Sequence, residues 1–411
     1  MPIHNNEVHA PLICPTFFFF FLDRLDMTHL LDDFLIQAKQ HITRPDDTKS
    51  LIIVTGNDSA DLDSIISSLL FAFLSQQSDN ASVYIPLVKV PGEDLALRPE
   101  VNWVFEQAGV DVSNLICIDK VDLDAFPETT KVVLIDHNRL TPPFDEAKWS
   151  NRVVGVLDHH VDEKYYLDSP LRQISMVGSC MSLVIVHFMD VLHNNTQYKH
   201  AITKLALAPI LVDTIGLRWE LGKTTETDVE VYDFLGGSEF KASDTMTTSN
   251  DYYDQIETVK SRVQHLCCRD LLRKDYKEFV VNGYRVGTSS MSWYLQAWTE
   301  RDGIEQMIES TWDFVKERKL DLEIILTSYD HAKETKNGVY ERELAFFIAK
   351  DCLLPIKKEM EDMKDVELTS LPFQYDSENG RISFYNQGAI KMSRKQIWPL
   401  VQTLLEKKPH A

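Results

Sequence analysis

The stretch Ile52–Ser68, IIVTGNDSADLDSIISS, contains the order of elements that decides the fold. An apolar run rich in β-branched residues ends at Gly56, a polar turn follows, and apolar residues then recur at helical spacing. This order predicts a buried parallel strand, a turn and a helix. In an open α/β sheet such a turn lies at the carboxyl end of its strand, where ligands bind. We therefore expect the polar turn to form part of a ligand site.

Two interpretations of the acids in this turn stay open. In the first, Asp58 or Ser59 caps the following helix. Asp61 and Asp63 then complement the positive N-terminal end of that helix. In the second, the acids bind a cation together with groups elsewhere in the chain. A cap explains only one or two of them, and later segments end in similar groups, which favours the cation.

Two further apolar segments end in acid and imidazole side chains. The predicted strand at residues 131–135 is followed by DHN at 136–138, and the one at 152–157 is followed by DHH at 158–160. The carboxyl ends of parallel strands meet at one edge of a sheet, so these groups predict a single cleft.

A further acid, Asp213, lies in a predicted helix, His200–Leu217, that is apolar on more than one face. A buried carboxylate costs free energy unless it is paired or bound to a metal. Asp213 therefore either forms a salt bridge with Arg218 or Lys204, or joins the acids at the strand ends. The presence of those acids favours the second interpretation.

These segments together supply six candidate metal ligands. They are Asn57, Asp61, Asp63, Asp136, His159 and Asp213. Oxygen donors with one imidazole suit Mg²⁺ or Mn²⁺, with Co²⁺ as a further candidate, better than a thiolate site would. Six ligands are more than one ion normally takes from a protein, so we expect two divalent cations that share a carboxylate. Such a pair binds a phosphoryl group and activates water, which predicts hydrolysis of phosphoesters or phosphoanhydrides.

The composition limits the partners of the chain. Its formal net charge of −21 argues against general nucleic-acid binding, and the apolar segment Ala10–Leu22 is too short to span a bilayer. The six cysteines show neither zinc spacing nor the framework of a secreted protein, which favours an intracellular compartment. We expect a cytoplasmic monomer with no membrane partner. A mitochondrial location is less favoured, because no targeting signal is well formed.

The pattern of elements predicts an α/β fold with two domains. Residues 1–26 are interpreted as an unstructured extension, and residues 27–235 as a domain built on a parallel sheet. A Gly-, Ser- and Thr-rich linker is predicted at 236–250, followed by a smaller α+β domain at 251–411. In that domain the pair Asn282-Gly283 predicts a hairpin with a type I′ turn.

The four motifs resemble those of the DHH phosphoesterase family in residues and in order. DHH at 158–160 is the naming motif, and its companions are GNDSADLDS at 56–64, DHN at 136–138 and Asp213 in a helix. A single DHH would be a weak signal, whereas four motifs in the family's order are specific. The resemblance implies a metal-dependent hydrolase with its active site in the cleft between two domains.

The second domain resembles the DHHA2 type, through SRKQ at 393–396 and DYK at 275–277. This pairing implies family II inorganic pyrophosphatases, fungal exopolyphosphatases or prune proteins. Asn57 stands where family II pyrophosphatases have histidine, and Asn138 stands where prune proteins usually have arginine. The likeness is therefore greatest to exopolyphosphatases of the fungal cytosolic type.

The resemblance implies a role for each matching residue. One ion is bound by Asp61 and Asp136, with Asn57. The other is bound by Asp63, Asp136, His159 and Asp213, so that Asp136 is a catalytic residue that bridges the pair. His160 contacts the scissile oxygen, as a hydrogen-bond donor to substrate or as a proton source for the leaving phosphate.

Basic residues of the second domain are implied to bind the phosphates. They are Lys277, Arg394 and Lys395. The alternative is that these are solvated charges, as most basic residues are. A further basic group precedes them and is either a track for a longer anionic chain or an exposed helix face. Its members are Arg262, Arg269, Arg273 and Lys274.

The sequence as a whole predicts an exopolyphosphatase that releases terminal orthophosphate from inorganic polyphosphate. Domain closure would bring Arg394 and Lys395 over the metals. The alternatives are an inorganic pyrophosphatase, a prune-like phosphatase of short chains, and, from another class, an interaction scaffold without turnover.

Overall fold

The N-terminal half of the chain is built on one parallel sheet. The computed structural model describes residues 29–43, 48–243, 245–331 and 338–410. The strands of the first sheet are β1 (Ser50–Thr55), β2 (Ser82–Val88), β3 (Ile116–Cys117), β4 (Lys131–Ile135), β5 (Val153–Asp158) and β6 (Leu171–Ile174). They lie in the order β3-β2-β1-β4-β5-β6, and every neighbouring pair is parallel. The predicted α/β class is confirmed.

Helices cover this sheet and connect its strands. They are α1 (Leu30–Thr43), α2 (Leu62–Ser78), α3 (Pro99–Ala108), α4 (Glu146–Trp149), α5 (Cys180–His187), α6 (Met189–Asn194), α7 (Thr196–Asp213), α8 (Glu226–Phe234) and α9 (Ser249–Lys260). Successive residues of β1 pack on opposite faces, because side chains alternate along a strand. Ile52 and Val54 join one buried apolar cluster, and Ile53 joins the other.

The order of the strands fixes where a site can form. The chain leaves β1 in one direction for β2 and β3 and returns to the other side for β4, β5 and β6. The carboxyl ends of β1 and β4 therefore flank the point at which the strand order reverses. Ligands of open α/β sheets bind at such a point. The polar turn after β1 and the DHN motif after β4 lie on its two sides.

The C-terminal half is an α+β unit with a mixed sheet. Its strands are β7 (Tyr276–Val281), β8 (Tyr284–Met291), β9 (Leu322–Thr327), β10 (Tyr329–Asp330), β11 (Tyr340–Glu341), β12 (Glu343–Ile348), β13 (Leu368–Ser370) and β14 (Ile382–Gln387). Six of them form a sheet in the order β13-β14-β12-β9-β8-β7, in which only β8 and β9 are parallel. Its helices are α10 (Cys268–Arg273), α11 (Leu295–Asp302), α12 (Ile304–Arg318), α13 (Leu354–Glu361) and α14 (Arg394–Glu406).

The hairpin between β7 and β8 turns as predicted. Asn282 and Gly283 both have positive φ angles, of 51° and 82°, as a type I′ turn requires. The Asn282 amide also donates hydrogen bonds to the carbonyls of Leu405 and Glu406, at 3.2 and 3.1 Å. The turn therefore fastens the end of α14 to the sheet.

Some predicted elements differ from those observed. The apolar spacing of residues 178–192 and 252–266 predicts one helix in each segment. The first segment instead contains two helices that meet at Phe188, and the helix in the second ends at Lys260. Strand β6 was not predicted, because Leu171–Ile174 is a short edge strand whose four residues are all only partly buried. Period and hydrophobicity are weak signals for such a strand.

The predicted linker does not separate two independently packed halves. Residues 236–250 contain a short 3-10 turn and the start of α9, and α9 packs against α3 and α7. Its residues Tyr252 and Ile256 belong to the same apolar cluster as β1. The domain bounds 27–235 and 251–411 stay a prediction. The extension predicted at 1–26 lies outside the described residues.

Ion pairs and packing join the two halves. The Arg273 guanidinium pairs with Asp94, and the Lys274 ammonium donates to the Leu97 carbonyl at 2.6 Å. Within the C-terminal half, Arg269 forms two 2.7 Å hydrogen bonds with Glu317. These three basic side chains therefore already bind protein groups. They are not free to form the predicted track for a longer anionic chain. Within the described residues, no helix has the length and hydrophobicity needed to cross a bilayer.

Glu323 is an unusual buried acid in the second sheet. Its Oε1 accepts a 2.6 Å hydrogen bond from the Ser289 hydroxyl, whereas its Oε2 has no hydrogen-bond partner among the described residues. Gly287 makes room for this carboxyl group, because a Cβ atom there would lie 2.0 Å from Oε2. Burial raises the pKa of Glu323 from 4.5 to about 8. The group is thus retained in its protonated form near neutral pH.

Replacing this acid by Glu323→Gln should change how stability depends on pH. A raised pKa in the folded state contributes stability that is fully present below pH 4.5, the ordinary pKa. This stability is lost as the pH rises through about 8. That loss amounts to at most about 1.4 kcal/mol per pH unit. We expect the variant to melt above the wild type at about pH 8 and to lose this advantage at about pH 5. Thermal unfolding over this range measures it, and the exposed Glu305→Gln is the control. Parallel pH profiles for Glu323→Gln and wild type would contradict the assignment.

Candidate metal centre

The centre of the site is Asp136, the first residue after β4. Its φ angle of 62° lies in the left-handed region, which costs a residue other than glycine about 1 to 2 kcal/mol. Its backbone N–H donates to the Leu157 carbonyl of β5 at 2.9 Å, which fixes the turn. Strain of this kind is retained where surrounding structure holds it, and it is common at functional sites.

The Asp136 carboxylate is buried and only partly satisfied. Its Oδ2 accepts a 2.7 Å hydrogen bond from the Asn57 amide nitrogen. Its Oδ1 is buried and accepts no hydrogen bond of acceptable geometry from the described residues. The His159 Nε2 lies 3.2 Å from Oδ1 and the His160 Nδ1 lies 3.6 Å from it. Burial raises the pKa of Asp136 to about 6, and the charges of nearby acids add to this effect.

His159 is aimed at this carboxylate by the hydrogen bond on its other nitrogen. Its Nδ1 donates to the Val177 carbonyl at 3.1 Å, so its Nε2 faces Asp136 and also lies 3.9 Å from the Asp63 Oδ2. Burial lowers the pKa of His159, but Asp136 and Asp63 outweigh it and raise the pKa to about 10. The carboxylates therefore create a strong preference for positive charge at this position.

Asp63, in the first turn of α2, is held from the opposite side by α5. Its Oδ2 accepts from the Cys180 N–H at 2.7 Å, and its Oδ1 accepts from the Met181 N–H at 3.0 Å. The hydroxyls of Ser67 and Ser179 donate to Oδ1 at 2.8 and 3.0 Å. The free N–H groups of a helix N-terminus stabilise a carboxylate, which explains how this acid stays buried.

Asp213 ends α7 next to the same cluster. Its Oδ2 is buried and has no hydrogen-bond partner among the described residues. Burial raises its pKa well above the ordinary value, and Asp63 and Asp61 raise it further. Neither of the predicted salt bridges forms. Lys204 instead donates to the Gln107 carbonyl at 2.8 Å, and the Arg218 guanidinium lies over the Tyr253 ring.

The polar turn after β1 divides its side chains between capping and the site. Asp61, not Asp58 or Ser59, caps α2, because its Oδ1 accepts from the Ser64 N–H at 3.0 Å. Asp58 pairs with Lys89 and accepts a 2.7 Å hydrogen bond from Thr141. Asp61 therefore serves as the cap of α2, and its predicted role as a metal ligand stays a prediction.

Asn57 uses both ends of its amide within the protein. Its nitrogen donates to Asp136, and its oxygen accepts from the Ser59 N–H at 2.9 Å. In this arrangement it orients the central carboxylate. Its predicted role as a metal ligand stays a prediction.

His160 is oriented by Asp158, whose role the sequence reasoning missed. The His160 Nδ1 lies 2.8 Å from the Asp158 Oδ1, which also accepts the His160 backbone N–H at 3.1 Å. Asp158 is fully buried and binds Asn138 through its second oxygen. Although burial raises the pKa of Asp158, His160 and Asn138 lower it overall. The Nε2 of His160 is left for a ligand, and the side chain is 31% exposed.

Basic residues of the C-terminal half approach the site from across the cleft. Arg394 donates to the carbonyl and carboxylate of Asp275 at 2.8 and 2.6 Å, which fixes its planar guanidinium. Burial lowers the pKa of Lys89 while Asp58 opposes it, and the proximity of Lys277 lowers it further. Lys277 therefore lies near the first half of the site.

Lys395 is exposed in the first turn of α14 and interacts electrostatically with Lys223. Burial lowers the pKa of Lys223, and the nearby Asp213 opposes this shift. Lys223 thus connects the acid of α7 with the basic residues of the second half. Lys277 and Lys395 thus both lie near groups of the first half, and the role of Lys277, Arg394 and Lys395 as phosphate ligands stays a prediction.

Comparison with known proteins places these features in a family. The description "DHH family, N-terminal domain" matches residues 51–212, and "DHHA2 domain" matches residues 254–404. The chain is a DHH protein with a DHHA2 domain. The family resemblance predicted from the motifs is therefore confirmed.

Several relatives of this DHH protein carry names. A Schizosaccharomyces pombe protein provisionally named exopolyphosphatase is 29% identical over 86% of this chain and 90% of its own length. Exopolyphosphatase PRUNE1 of Homo sapiens is 25% identical over 87% of this chain and 76% of its own. A protein of Archaeoglobus fulgidus named probable manganese-dependent inorganic pyrophosphatase is 24% identical over 66% of this chain and 78% of its own.

A solved structure supports the fold of the DHH protein. The crystal structure of a Methanococcus jannaschii protein, provisionally named family II inorganic pyrophosphatase, matches with a TM-score of 0.58. The match covers 86% of this chain and 99% of the other, at 19% identity. At this identity it shows a shared fold.

The residues of the DHH domain fit divalent cations. Two buried carboxylate oxygens, Asp136 Oδ1 and Asp213 Oδ2, lack hydrogen-bond partners among the described residues. Asp136, His159 and His160 each offer a ligand atom, and these atoms lie within 4.8 Å of one another. Hard oxygen donors with imidazole suit Mg²⁺ and Mn²⁺. A cation bound beside either orphaned oxygen would give that oxygen a partner and relieve the repulsion between the acids.

Divalent cations should stabilise the wild type and not Asp136→Asn. The raised pKa of Asp136 contributes stability that is lost as the pH rises through about 6, so the variant without added metal should melt above the wild type at about pH 8. Mn²⁺ at about 100 times its Kd should add about 2.7 kcal/mol to the wild type. Thermal unfolding with Mn²⁺, Mg²⁺ or chelator measures both effects. The exposed Asp168→Asn should behave as wild type, and an equal metal shift in Asp136→Asn would contradict the central role of Asp136.

Proposed function

We propose that this DHH protein is a metal-dependent exopolyphosphatase, which hydrolyses the terminal phosphoanhydride bond of inorganic polyphosphate and releases orthophosphate. One observation carries the proposal. Acids with orphaned buried oxygens, Asp136 and Asp213, lie beside the oriented imidazoles of a DHH motif and face basic residues of the DHHA2 domain. Cations and basic side chains together suit a highly charged phosphate chain.

Two divalent cations, Mg²⁺ or Mn²⁺, are the proposed cofactors. One would be bound by Asp61 and Asp136, with Asn57 in support. The other would be bound by Asp63, Asp136, His159 and Asp213. When bound, such ions lower the pKa of a water molecule and neutralise phosphate charge. The chain itself holds Asp63 and His159 in place through the backbone between β6 and α5.

His160 is the proposed proton donor to the leaving phosphate. Asp158 engages its Nδ1, so the proton that is transferred sits on Nε2, the nitrogen left for the cleft. Asp158 also stabilises the imidazolium form before transfer. The hydrolysis consumes one water, which supplies the hydroxyl of the released orthophosphate, while His160 protonates the oxygen of the shortened chain.

The DHHA2 domain supplies the proposed phosphate-binding residues, Lys277, Arg394 and Lys395. A chain of net charge −21 repels polyanions at long range, so binding requires positive charge concentrated at the site. Arg394 is held by two contacts to Asp275 and presents a fixed guanidinium plane. Arginine binds phosphate through such a plane, whereas the two lysines act as point charges.

A pyrophosphatase is the second candidate, because both a named relative and a solved structure of this fold are pyrophosphatases by name. Exopolyphosphatase is preferred because relatives that match more of this chain carry that name. The cytoplasmic location and the monomeric state stay predictions.

A substrate panel separates the two candidates. The protein is supplied with Mg²⁺, Mn²⁺ or Co²⁺ in turn and with pyrophosphate, tripolyphosphate or long polyphosphate, and orthophosphate release is measured. We expect the greatest kcat/KM on chains longer than pyrophosphate, with orthophosphate as the first product. Asp136→Ala is the inactive control. A preference for pyrophosphate would replace the first candidate with the second.

His160→Gln should lower kcat by about 10² to 10⁴-fold, the usual contribution of a general acid. Its metal-induced rise in melting temperature should persist, because Asp136, Asp63 and Asp213 remain. Asp158→Asn should lower kcat in the same direction, because it disturbs the imidazole without touching substrate. Steady-state rates with thermal unfolding measure these effects. A His160→Gln variant with wild-type kcat would remove His160 from the mechanism.

A further inference from the structure

The backbone of residues 177–181, VGSCM, runs from the loop after β6 into the first turn of α5 and touches two proposed metal ligands. We name this segment the platform. Its Val177 carbonyl accepts the hydrogen bond that directs His159. Its Cys180 and Met181 N–H groups and its Ser179 hydroxyl donate to Asp63. The orientation of His159 and Asp63 therefore depends on the position of the platform.

A second carboxylate, Asp228 of α8, holds the platform from the other side. Its Oδ2 accepts from the Gly178 N–H at 2.8 Å. Its Oδ1 accepts from the Ser179 N–H at 3.4 Å and from the Ser182 hydroxyl at 2.6 Å. Asp228 is fully buried. The platform therefore lies between two acids. Asp63 is on the side of the site, and Asp228 is on the opposite side of the platform.

The contact between Asp228 and the platform leaves no free space. A Cβ atom on Gly178 would lie 2.7 Å from the Asp228 Oδ2 and 2.5 Å from the Thr214 Cγ2. Thr214 directly follows Asp213 at the end of α7. The platform therefore packs against the neighbour of a third proposed ligand, and a shift of Asp228 would be felt at Asp63, His159 and Asp213.

Helix capping alone does not account for Asp228. It closes a capping box at the start of α8, in which its Oδ2 accepts from the N–H and hydroxyl of Thr225 at 2.8 and 2.7 Å. The chain has a second such box, Thr248 and Asp251, at the start of α9. That box is exposed, and its Asp251 carboxylate accepts hydrogen bonds from the nearby Thr247 and Thr248. Of these two boxes, the Asp228 box is the one that reaches a distant backbone segment that contacts the site.

We propose that Asp228 is a positioning residue of the metal centre. It acts through the platform to hold Asp63 and His159 at the geometry that binds the cations. The inference deepens the proposed function and rests on it for the identity of the ligands. Residues behind metal ligands commonly change metal affinity by 10 to 100-fold, roughly, when they are replaced.

Asp228→Asn and Asp251→Asn form a matched pair. Each substitution places an NH₂ or a weaker acceptor where N–H groups donate, so each damages a capping box of the same type. Only the first also disturbs the platform. Mn²⁺ binding to the full chain is measured by electron paramagnetic resonance or calorimetry, alongside thermal unfolding. We expect Asp228→Asn to weaken Mn²⁺ binding by about 10 to 100-fold and Asp251→Asn to change it less than about twofold.

Activity gives a second readout that loss of fold would not mimic. The Mn²⁺ concentration for half-maximal orthophosphate release should rise for Asp228→Asn, while kcat at saturating Mn²⁺ recovers towards the wild type. If Asp228→Asn and Asp251→Asn bind Mn²⁺ with equal affinity, the inference is overturned. This holds whatever the melting temperatures of the two variants.

Ser182→Ala keeps the test decisive if Asp228→Asn does not fold. It removes one hydrogen bond to the Asp228 Oδ1 and leaves the capping box intact. A few-fold weaker Mn²⁺ affinity would support the inference, and unchanged affinity would overturn it. Wild-type protein that binds no Mn²⁺ would overturn the proposed function itself, which distinguishes the two failures.

Discussion

The repulsion between buried carboxylates is the constraint on which the rest of this structure depends. Asp63, Asp136 and Asp213 are gathered beside the carboxyl ends of parallel strands, in a place where burial disfavours negative charge. The protein meets part of this cost with the N-terminus of α5 and the imidazole of His159. It leaves two oxygens without a partner among the described residues, and the proposed cations would bind beside them.

The two halves of the chain contribute side chains of opposite charge. The DHH domain concentrates acids at the point where its strand order reverses, and the DHHA2 domain brings arginine and lysine towards them. Arg273 pairs with Asp94 and Lys274 pairs with Glu100, so the segment Asp94–Glu100 at the start of α3 holds the halves against each other. In the same segment the buried Arg98 donates to the Ser59 carbonyl at 3.2 Å, in the polar turn after β1. Contact between the halves and the geometry of the first motif are thus built on one stretch of chain.

The sequence predicts the parts of the site that follow a strand. β1, β4 and β5 are continuous apolar runs, so the polar residues after each could be assigned to one edge of a sheet before any coordinates were known. The two-domain α/β architecture and the DHH and DHHA2 domains followed from the same motifs. Edge strand β6 was not predicted, because its residues are only half-buried and carry little hydrophobic signal.

The supporting residues could not be found in this way. Asp158 and Asp228 act through hydrogen bonds to partners whose distance in space the sequence does not encode. The pattern Thr-x-x-Asp at 225–228 is visible, but it is the same pattern as at 248–251, where it forms an exposed cap of α9. The two differ in burial and in the hydrogen bonds that the acid accepts from outside its own turn. Tertiary contact, which no local pattern contains, decides between an ordinary cap and a support for the site.

The distribution of the site along the chain has a consequence for biosynthesis. Its groups begin with the turn after β1 and are completed only at the end of α7, with the strands between them paired out of chain order. Long-range pairing of parallel strands is slow compared with local helix formation. A nascent polypeptide that has been synthesised only as far as β5 therefore exposes a concentrated set of acids before α7, which completes the site, is present. Binding of the proposed cations would accordingly follow synthesis of the chain to the end of α7.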